Sequence, residues 1–382
     1  MAPKQPNNNR QYPQIVDKNS VDTPDPNELY AALDLGTNSC RMLIAHPKGN
    51  QFHVVDSYSK SVQLGAGLEK TGRLSGASMA RTIQALRVCK QKLRRHKVDR
   101  MRIVATEACR RASNGEAFRA QVRAETGLEL EIIQAEEEAR LAVISCSSLV
   151  STRTEQLLVV DIGGGSTELV WIDLTALSPR ERPRALMRLH AGFHDTQSPF
   201  PAAKVVDWIS IPLGVATLRD SFADVADDSA RYALMSCHFE DSLANFAPYA
   251  SAQSKEGFQI IGTSGTVTTV AASHLGLRRY DRNKVDGLRM TSEQIDQVVT
   301  SYLSLGPKGR RQDPRIGKDR QALIMSGAAI LQALMRAWPT ERVSVADRGL
   351  REGLLYAQMS ACLLYTSPSP RDLSTSRMPS SA

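Results

Sequence analysis

The sequence predicts an α/β protein of two domains with a cleft between them. Three observations predict it. The chain has 382 residues, more than a single compact core of usual size holds. Short strand patterns and amphipathic helix patterns alternate through two successive blocks, as mixed α/β layers require. Each block also opens on the same device, about 127 residues apart: an apolar strand ending in Asp, a turn of Gly, Ser, Thr or Asn, and a second apolar strand. That spacing reads as an internal duplication of a hairpin and is too long for a solenoid.

The elements follow in order. Residues 1–28 are rich in Asn, Gln, Pro and Asp and read as a disordered arm. Tyr30 to Leu35 is a strand, Gly36 to Ser39 a turn, and Met42 to Ala45 the return strand, with a further strand near Phe52 to Val55. Met79, Ile83, Leu86 and Leu93 fall at helical spacing within Ser78–His96. Met101 to Ala105 is a buried strand, Gly115 to Thr126 a helix closed by Gly127, and Leu128 to Ile133 a strand. Ala135 to Val150 reads as a helix whose first turn carries Glu136, Glu137 and Glu138, as the helix dipole favours.

The second block begins with the strand Gln156 to Ile162, which runs into Gly163-Gly164-Gly165, and the strand Thr167 to Ile172. Residues 178–204 read as an irregular insertion, and helices are expected over 214–224 and 228–246. Gln259 to Ile261 is a strand, 267–275, 291–304 and 319–337 are helices, and Arg342 to Ala346 is a last strand. Beyond Leu364 the chain turns Ser/Pro-rich; residues 363–382 read as a disordered tail, either native or foreign to the natural protein. The domain expectation is therefore 29–142 and 143–362, with the last helix packing back on the first domain.

Composition narrows the function classes. No apolar run reaches the ~18–20 residues that span a bilayer, and the polar N-terminus lacks a secretory signal core. Lys and Arg outnumber Asp and Glu 48 to 40, which favours an anionic partner. Aromatics are only 5%, too few for single-strand nucleic-acid platforms. The six cysteines have no metal or CxxC spacing, so a reducing cytoplasm is the expected location.

Three segments carry chemistry. In Asp34-Leu-Gly-Thr-Asn-Ser39, backbone N–H groups and hydroxyls of Gly36, Thr37, Asn38 and Ser39 can form a concavity for phosphate oxygens. Asp34 at the strand end suits a hydrated Mg²⁺, although a plain Asp turn has the same look. In Asp161-Ile-Gly-Gly-Gly-Ser-Thr-Glu168, the three glycines Gly163, Gly164 and Gly165 let backbone approach a ligand, and Ser166 adds a hydroxyl. In Gly262-Thr263-Ser264-Gly265-Thr266, small residues open a helix N-terminus, an anion site or an ordinary capped loop. Neither a Walker loop nor a strand–GxGxxG–helix is present.

Together with Ala105-Thr-Glu-Ala-Cys-Arg-Arg111, Glu137-Glu-Ala-Arg140 and Gly349-Leu-Arg-Glu-Gly353, these segments resemble the exopolyphosphatase/guanosine pentaphosphate phosphohydrolase (Ppx/GppA) family, in that family's order and across residues 30–362. The resemblance implies two ribonuclease H-like domains of the actin/Hsp70/sugar-kinase superfold. It implies Glu138 as the residue that prepares the attacking water, with Glu137 its neighbour. Asp161 would be the Mg²⁺-linked carboxylate, and Asp34 and Glu168 would help hold the ion. Arg110 would bind a phosphate oxygen or stabilise the transition state. The phosphate would lie among Gly36, Thr37, Asn38, Ser39, Gly163, Gly164, Gly165 and Ser166, with Gly262, Thr263, Ser264, Gly265 and Arg320 as further substrate contacts.

A basic run, Lys308, Arg310, Arg311, Arg315, Lys318 and Arg320, is either a track for a phosphate chain or a solvated face. No His-Asp constellation follows residue 353, so the chain resembles the short, two-domain members. The expected activity is Mg²⁺-dependent release of orthophosphate from the end of inorganic polyphosphate, with water as the second reactant. Guanosine pentaphosphate is the alternative substrate. A small-molecule kinase of the same superfold and a non-catalytic polyphosphate or alarmone sensor are the other readings. The resemblance also admits a homodimer; nucleic acid and membrane are not expected partners.

Overall fold

The computed structural model describes residues 28–49, 51–98, 100–189, 192–193, 203–251 and 256–365. The expected arm lies outside these residues except for Glu28, as does the expected tail beyond Tyr365.

The first sheet is built from β1 (Tyr30–Leu35), β2 (Ser39–Lys48), β3 (Gln51–Ser61), β4 (Arg100–Ala105) and β5 (Glu131–Ile132), in the order β3-β2-β1-β4-β5. β1 is buried at every position but Asp34, as a strand covered on both faces must be. β3 is the sheet edge and alternates exposed with half-buried positions. Five helices accompany this sheet: α1 (Leu68–Thr71), α2 (Gly76–His96), α3 (Glu107–Arg111), α4 (Gly115–Thr126) and α5 (Ala135–Cys146). Ser75 caps α2 by accepting from the Ser78 N–H. Gly127 ends α4 in the left-handed region.

The second sheet contains β6 (Gln156–Ile162), β7 (Thr167–Asp173), β8 (Lys204–Ile211), β9 (Phe258–Thr263), β10 (Arg289–Met290) and β11 (Val343–Ala346), in the order β10-β11-β9-β6-β7-β8. Its helices are α6 (Arg182–Arg188), α7 (Val215–Ser221), α8 (Asp228–Ser242), α9 (Ala247–Ser251), α10 (Gly265–His274), α11 (Arg282–Val285), α12 (Ser292–Gln312), α13 (Ile324–Ala337) and α14 (Leu350–Tyr365). α12 is broken at Gly306 (φ 62), with Pro307 next.

The two sheets are the same design. Each has two antiparallel pairs followed by parallel strands, and β8-β7-β6-β9-β11 repeats the order of β3-β2-β1-β4-β5. The hairpin registers coincide: Asp34 pairs with Arg41 as Asp161 pairs with Glu168. The duplication read from the two Asp-turn segments is therefore a duplication of whole sheets.

Five layers result. α2 and α4 cover the outer face of the first sheet, with Ile83, Leu86 and Phe118 against Leu33, Leu35 and Met42. α7, α8, α10, α12 and α13 cover the outer face of the second. Between the sheets lies α5, apolar on two sides: Leu141 and Ile144 meet the first sheet, Ala139, Val143 and Cys146 the second. α14 joins it there, with Leu354, Leu355 and Met359 against Tyr30, Ala32 and Leu43. A boundary drawn at residue 142 thus falls inside a helix shared by both sheets.

Several elements differ from the sequence reading. The strand expected over 128–133 shrinks to β5, and the helix expected to Val150 stops at Cys146 in a 3-10 turn, Ser147–Leu149. The insertion at 178–204 contains α6 and leads into β8, whose half-buried polar face hides its period. The helix expected from 319 begins at Ile324, because residues 319–323 form turns, with Lys318, Asp319 and Arg320 facing the cleft. Residues 363–365 continue α14, where disorder was expected.

α14 and α5 approach through Gly353, where a Cβ would overlap the Leu141 carbonyl oxygen and lie 3.0 Å from the Leu141 Cα. Backbone on both sides leaves no flexible neighbour to yield. Gly353→Ala is expected to lower stability by about 2 kcal/mol, read as a reduced urea midpoint; an unchanged midpoint would contradict this packing.

Candidate functional site

Both Asp-turn hairpins point their amide hydrogens the same way, for a reason the backbone makes plain. Gly36 N–H donates to Ser39 O at 3.0 Å, and Gly163 N–H to Ser166 O at 2.9 Å, which closes the two turns alike. The Thr37 carbonyl then accepts from Gly65 N–H and the Asn38 carbonyl from Val62 N–H, both at 2.9 Å. In the second turn the Gly163 carbonyl accepts from Val215 N–H at 2.9 Å and the Gly164 carbonyl from Ala216 N–H at 2.8 Å. Across a trans peptide, C=O and the following N–H point oppositely. With these carbonyls anchored behind, the N–H groups of Asn38, Ser39, Gly164 and Gly165 are turned to the front.

The fronts face each other. A Cβ on Gly164 would sit 3.2 Å from the Asn38 nitrogen, and one on Gly165 2.5 Å from Thr37 Oγ1. Gly214, at the start of α7, is packed as tightly behind: a Cβ there would lie 2.5 Å from the Gly164 carbonyl carbon and 2.6 Å from Gly165 N. Between the hairpins opens a cavity of about 510 Å³.

The third loop closes another side. Ser264 holds φ at 131°, a region L side chains rarely adopt, and caps α10 by accepting from Thr266 N–H at 3.1 Å. Gly265 lies under the Arg320 guanidinium, which any Cβ would overlap. Arg320 and Arg41 both line the cavity, and among the described residues neither has a side-chain hydrogen bond or ion pair. Arg351 joins them, 3.7 Å from Glu352. Burial, then the charge of Arg41, pulls Arg320 down to about 10; burial and Arg351 lower Arg41 in turn. Three guanidiniums that repel one another make a site for a polyanion.

The opposite end is acidic. Asp34, Glu138 and Asp161 line the cavity, and Glu168 lies just behind it. Burial pushes Asp161 up to about 8, aided by Glu138 and Asp34. Burial and Asp161 push Glu168 up to about 7, against hydrogen bonds donated by Ser166 and Ser210. Glu168 Oε2 is buried without a partner. Glu138, 8% exposed, is raised by burial and by Glu168, and Arg110 opposes the rise.

The sequence-named residues divide accordingly. Gly36, Thr37, Asn38, Ser39, Gly163, Gly164, Gly165, Ser166, Thr263, Ser264, Gly265 and Arg320 surround the cavity with Asp34, Asp161 and Glu138. Gly262 does not: it sits in β9 under the Val267 side chain. Glu168 does not reach the cavity wall either. Arg110 is a correction: it stands behind Glu138, donating to Glu138 Oε2 at 2.8 Å, Glu107 Oε2 at 2.9 Å and the Ile133 carbonyl at 2.9 Å. In this arrangement it holds the glutamate. Glu137 turns outward to Arg102 at 2.8 Å, so only Glu138 of the pair enters the cavity.

The sequence reading missed Arg41, Arg351, Tyr280 and Gly214. Arg41 occupies the register position of Glu168 in the duplicated hairpin, a signal that alignment of the two turns would have given. Of the basic run, Arg310 pairs with Asp228 and Arg315 with Asp313.

Among the described residues no three His, Cys, Asp or Glu side chains converge as a metal cage, and no helix is long and apolar enough to cross a membrane. Two hard carboxylates, Asp34 and Asp161, nevertheless share one wall: burial pushes Asp34 up against Arg41 and Arg351, and burial with the charges of Glu138 and Asp34 pushes Asp161 up. That donor set fits Mg²⁺, which takes one or two carboxylates and fills its remaining positions with water and phosphate oxygens.

The sequence profile of the Ppx/GppA phosphatase family matches residues 43–361. The chain is 29% identical over 328 residues to the guanosine-5'-triphosphate,3'-diphosphate pyrophosphatase of Aeromonas salmonicida, covering 86% of this chain and 59% of that protein. The crystal structure of the Aquifex aeolicus member of the Ppx/GppA family superposes with a TM-score of 0.67 at 28% identity, covering 87% of this chain and 98% of the other. An exopolyphosphatase from Cytophaga hutchinsonii shares the fold at 20% identity, with a TM-score of 0.72 over 87% of this chain and 98% of its own.

Proposed function

Since the chain belongs to the Ppx/GppA phosphatase family, we propose that it hydrolyses the terminal phosphoanhydride of inorganic polyphosphate and releases orthophosphate. The observation that carries this reading is the cavity between two hairpins whose amides face each other, with Glu138 on its wall and free arginines beyond. A terminal phosphate would accept from Asn38, Ser39, Gly164 and Gly165 N–H groups, whose fixed dipoles need no reorganisation as charge develops. Arg41 and Arg320 would hold the next phosphates. Glu138 takes the proton of a water as its oxygen bonds to the terminal phosphorus; the bridging P–O bond breaks and the shortened chain leaves with the electron pair. Asp34 and Asp161 would hold Mg²⁺, which neutralises charge on the phosphate oxygens when bound.

Guanosine pentaphosphate is the second reading. Curated relatives carry a name for action on that nucleotide, though the chain spans 59% of such a relative's length. The cavity wall also offers Ala272, Leu277 and the 49% exposed Tyr280 as an apolar face on which a base can stack. Phosphate release from polyphosphate and from guanosine pentaphosphate, measured side by side with Mg²⁺, tests the proposal. Absence of turnover on both would remove it, and ATP-dependent phosphorylation of a small acceptor would replace it with the kinase reading.

Arg110 sets the pH range. The active form of Glu138 is the carboxylate, and burial raises its pKa, so activity falls as pH drops through that raised value. Arg110 favours the carboxylate and holds the value down. Arg110→Met is expected to move the acid limb of kcat/KM to higher pH by about one unit or more, with turnover returning above the limb. An unmoved limb would show that Arg110 does not act through Glu138.

A further inference from the structure

The cavity wall carries another acid, Glu107 on α3, that no step of the proposed hydrolysis uses. Its stem packs against the hairpin of the other sheet: a Cβ on Gly165 would lie 3.0 Å from the Glu107 Cγ and 3.4 Å from its Cβ. Both of its oxygens are turned to guanidiniums. Oε2 accepts from Arg110 Nη2 at 2.9 Å and from Arg110 Nε at 3.2 Å, and Oε1 lies 3.8 Å from Arg111 Nε. Arg111 is itself fixed on Glu69 at 2.5 Å.

The consequence falls on Glu138. A guanidinium holds its N–H groups in a rigid fork, and a carboxylate seated squarely on one edge of the fork takes a bond on each oxygen. Here the Nε–Nη2 edge of Arg110 is filled by Glu107. Nη1 divides its two hydrogens between the Ile133 carbonyl at 2.9 Å and Glu138 Oε2 at 2.8 Å. Arg110 thus gives one N–H to Glu138, and Glu138 Oε1 has no hydrogen bond among the described residues. We infer that Glu107 is a positioning residue: by occupying the fork of Arg110 it keeps that arginine to a single bond on Glu138 and leaves Oε1 open to the proton of the attacking water. Without it, the vacated edge of Arg110 is the one Glu138 fits with both oxygens. This inference deepens, and rests on, the reading of Glu138 as the residue that prepares the water.

The test is Glu107→Ala in the full chain, with tripolyphosphate and Mg²⁺ and with kcat read on the pH plateau of each variant. kcat is expected to fall about tenfold or more while KM stays within about twofold, since the loss is confined to the reacting step. Glu107→Gln, whose amide oxygen still accepts from Nε and Nη2, is expected to recover most of that loss. Added to Arg110→Met, Glu107→Ala is expected to change nothing further, because the effect passes through Arg110. An unchanged kcat in Glu107→Ala, a Gln variant as slow as the Ala variant, or a further loss in the Arg110→Met background each overturns the positioning role. A crystal structure of Glu107→Ala separates this inference from the proposed function. If the unmutated protein releases no phosphate, that function fails. Arg110 bonded to both Glu138 oxygens in the variant still upholds the positioning role, and a bond to Oε2 alone removes it.

Discussion

Glu138→Gln is expected to cut phosphate release by about a hundredfold to ten-thousandfold and leave the fold intact. The amide keeps the volume of the side chain and can still accept from Arg110 through its oxygen, but it cannot take a proton from water. Stability moves the other way from activity. Burial and Glu168 disfavour the charged form of Glu138, so folding binds a proton there, and stability falls as pH rises through the raised value. A neutral amide removes that penalty, and the variant should melt no lower than the parent at neutral pH. Calorimetry with a phosphate-release assay checks both halves. Near-parental turnover would move the water-activating role to another residue.

Gly214→Ala carries the second large effect. The added methyl meets the Gly164 carbonyl carbon, the Gly163 oxygen and the Gly165 nitrogen at 2.5–2.6 Å. All three are backbone, so relief comes only by shifting the triglycine turn or the start of α7. That turn is held by Val215 and Ala216 N–H groups, and a displacement near 1 Å at a positioned group costs about a hundredfold in rate. A loss of that size in kcat/KM is expected, with near-normal circular dichroism. Gly76→Ala is the control: its Cβ meets nothing within 4 Å at the start of α2. Equal behaviour of the two variants would show that the turn tolerates movement.

The duplicated hairpins were legible because the device repeats in chemistry as well as position. Asp at a strand end and small residues in the turn announce themselves without any knowledge of what packs behind. Glu138 was legible through its family segment, and geometry separates it from Glu137. What stayed hidden depends on side-chain direction or on close approach between distant segments. Arg110 gave no sign in the sequence that the five-residue α3 would turn it behind Glu138. Arg41 looked like an ordinary strand residue, because its place opposite Asp34 is a matter of register. Gly214 and Gly353 matter for what lies 2–3 Å from an absent methyl, which neither periodicity nor composition encodes. Ser264 shows the same limit: a serine gives no hint of its φ of 131°.

The most direct measurement is a crystal structure of the Glu138→Gln chain with tripolyphosphate and Mg²⁺. The terminal phosphate is expected between the turns, accepting from amides of both Asn38-Ser39 and Gly164-Gly165, with the following phosphates toward Arg41 and Arg320. A terminal phosphate bound at the arginines, with the amides of either turn left without it, would contradict the account.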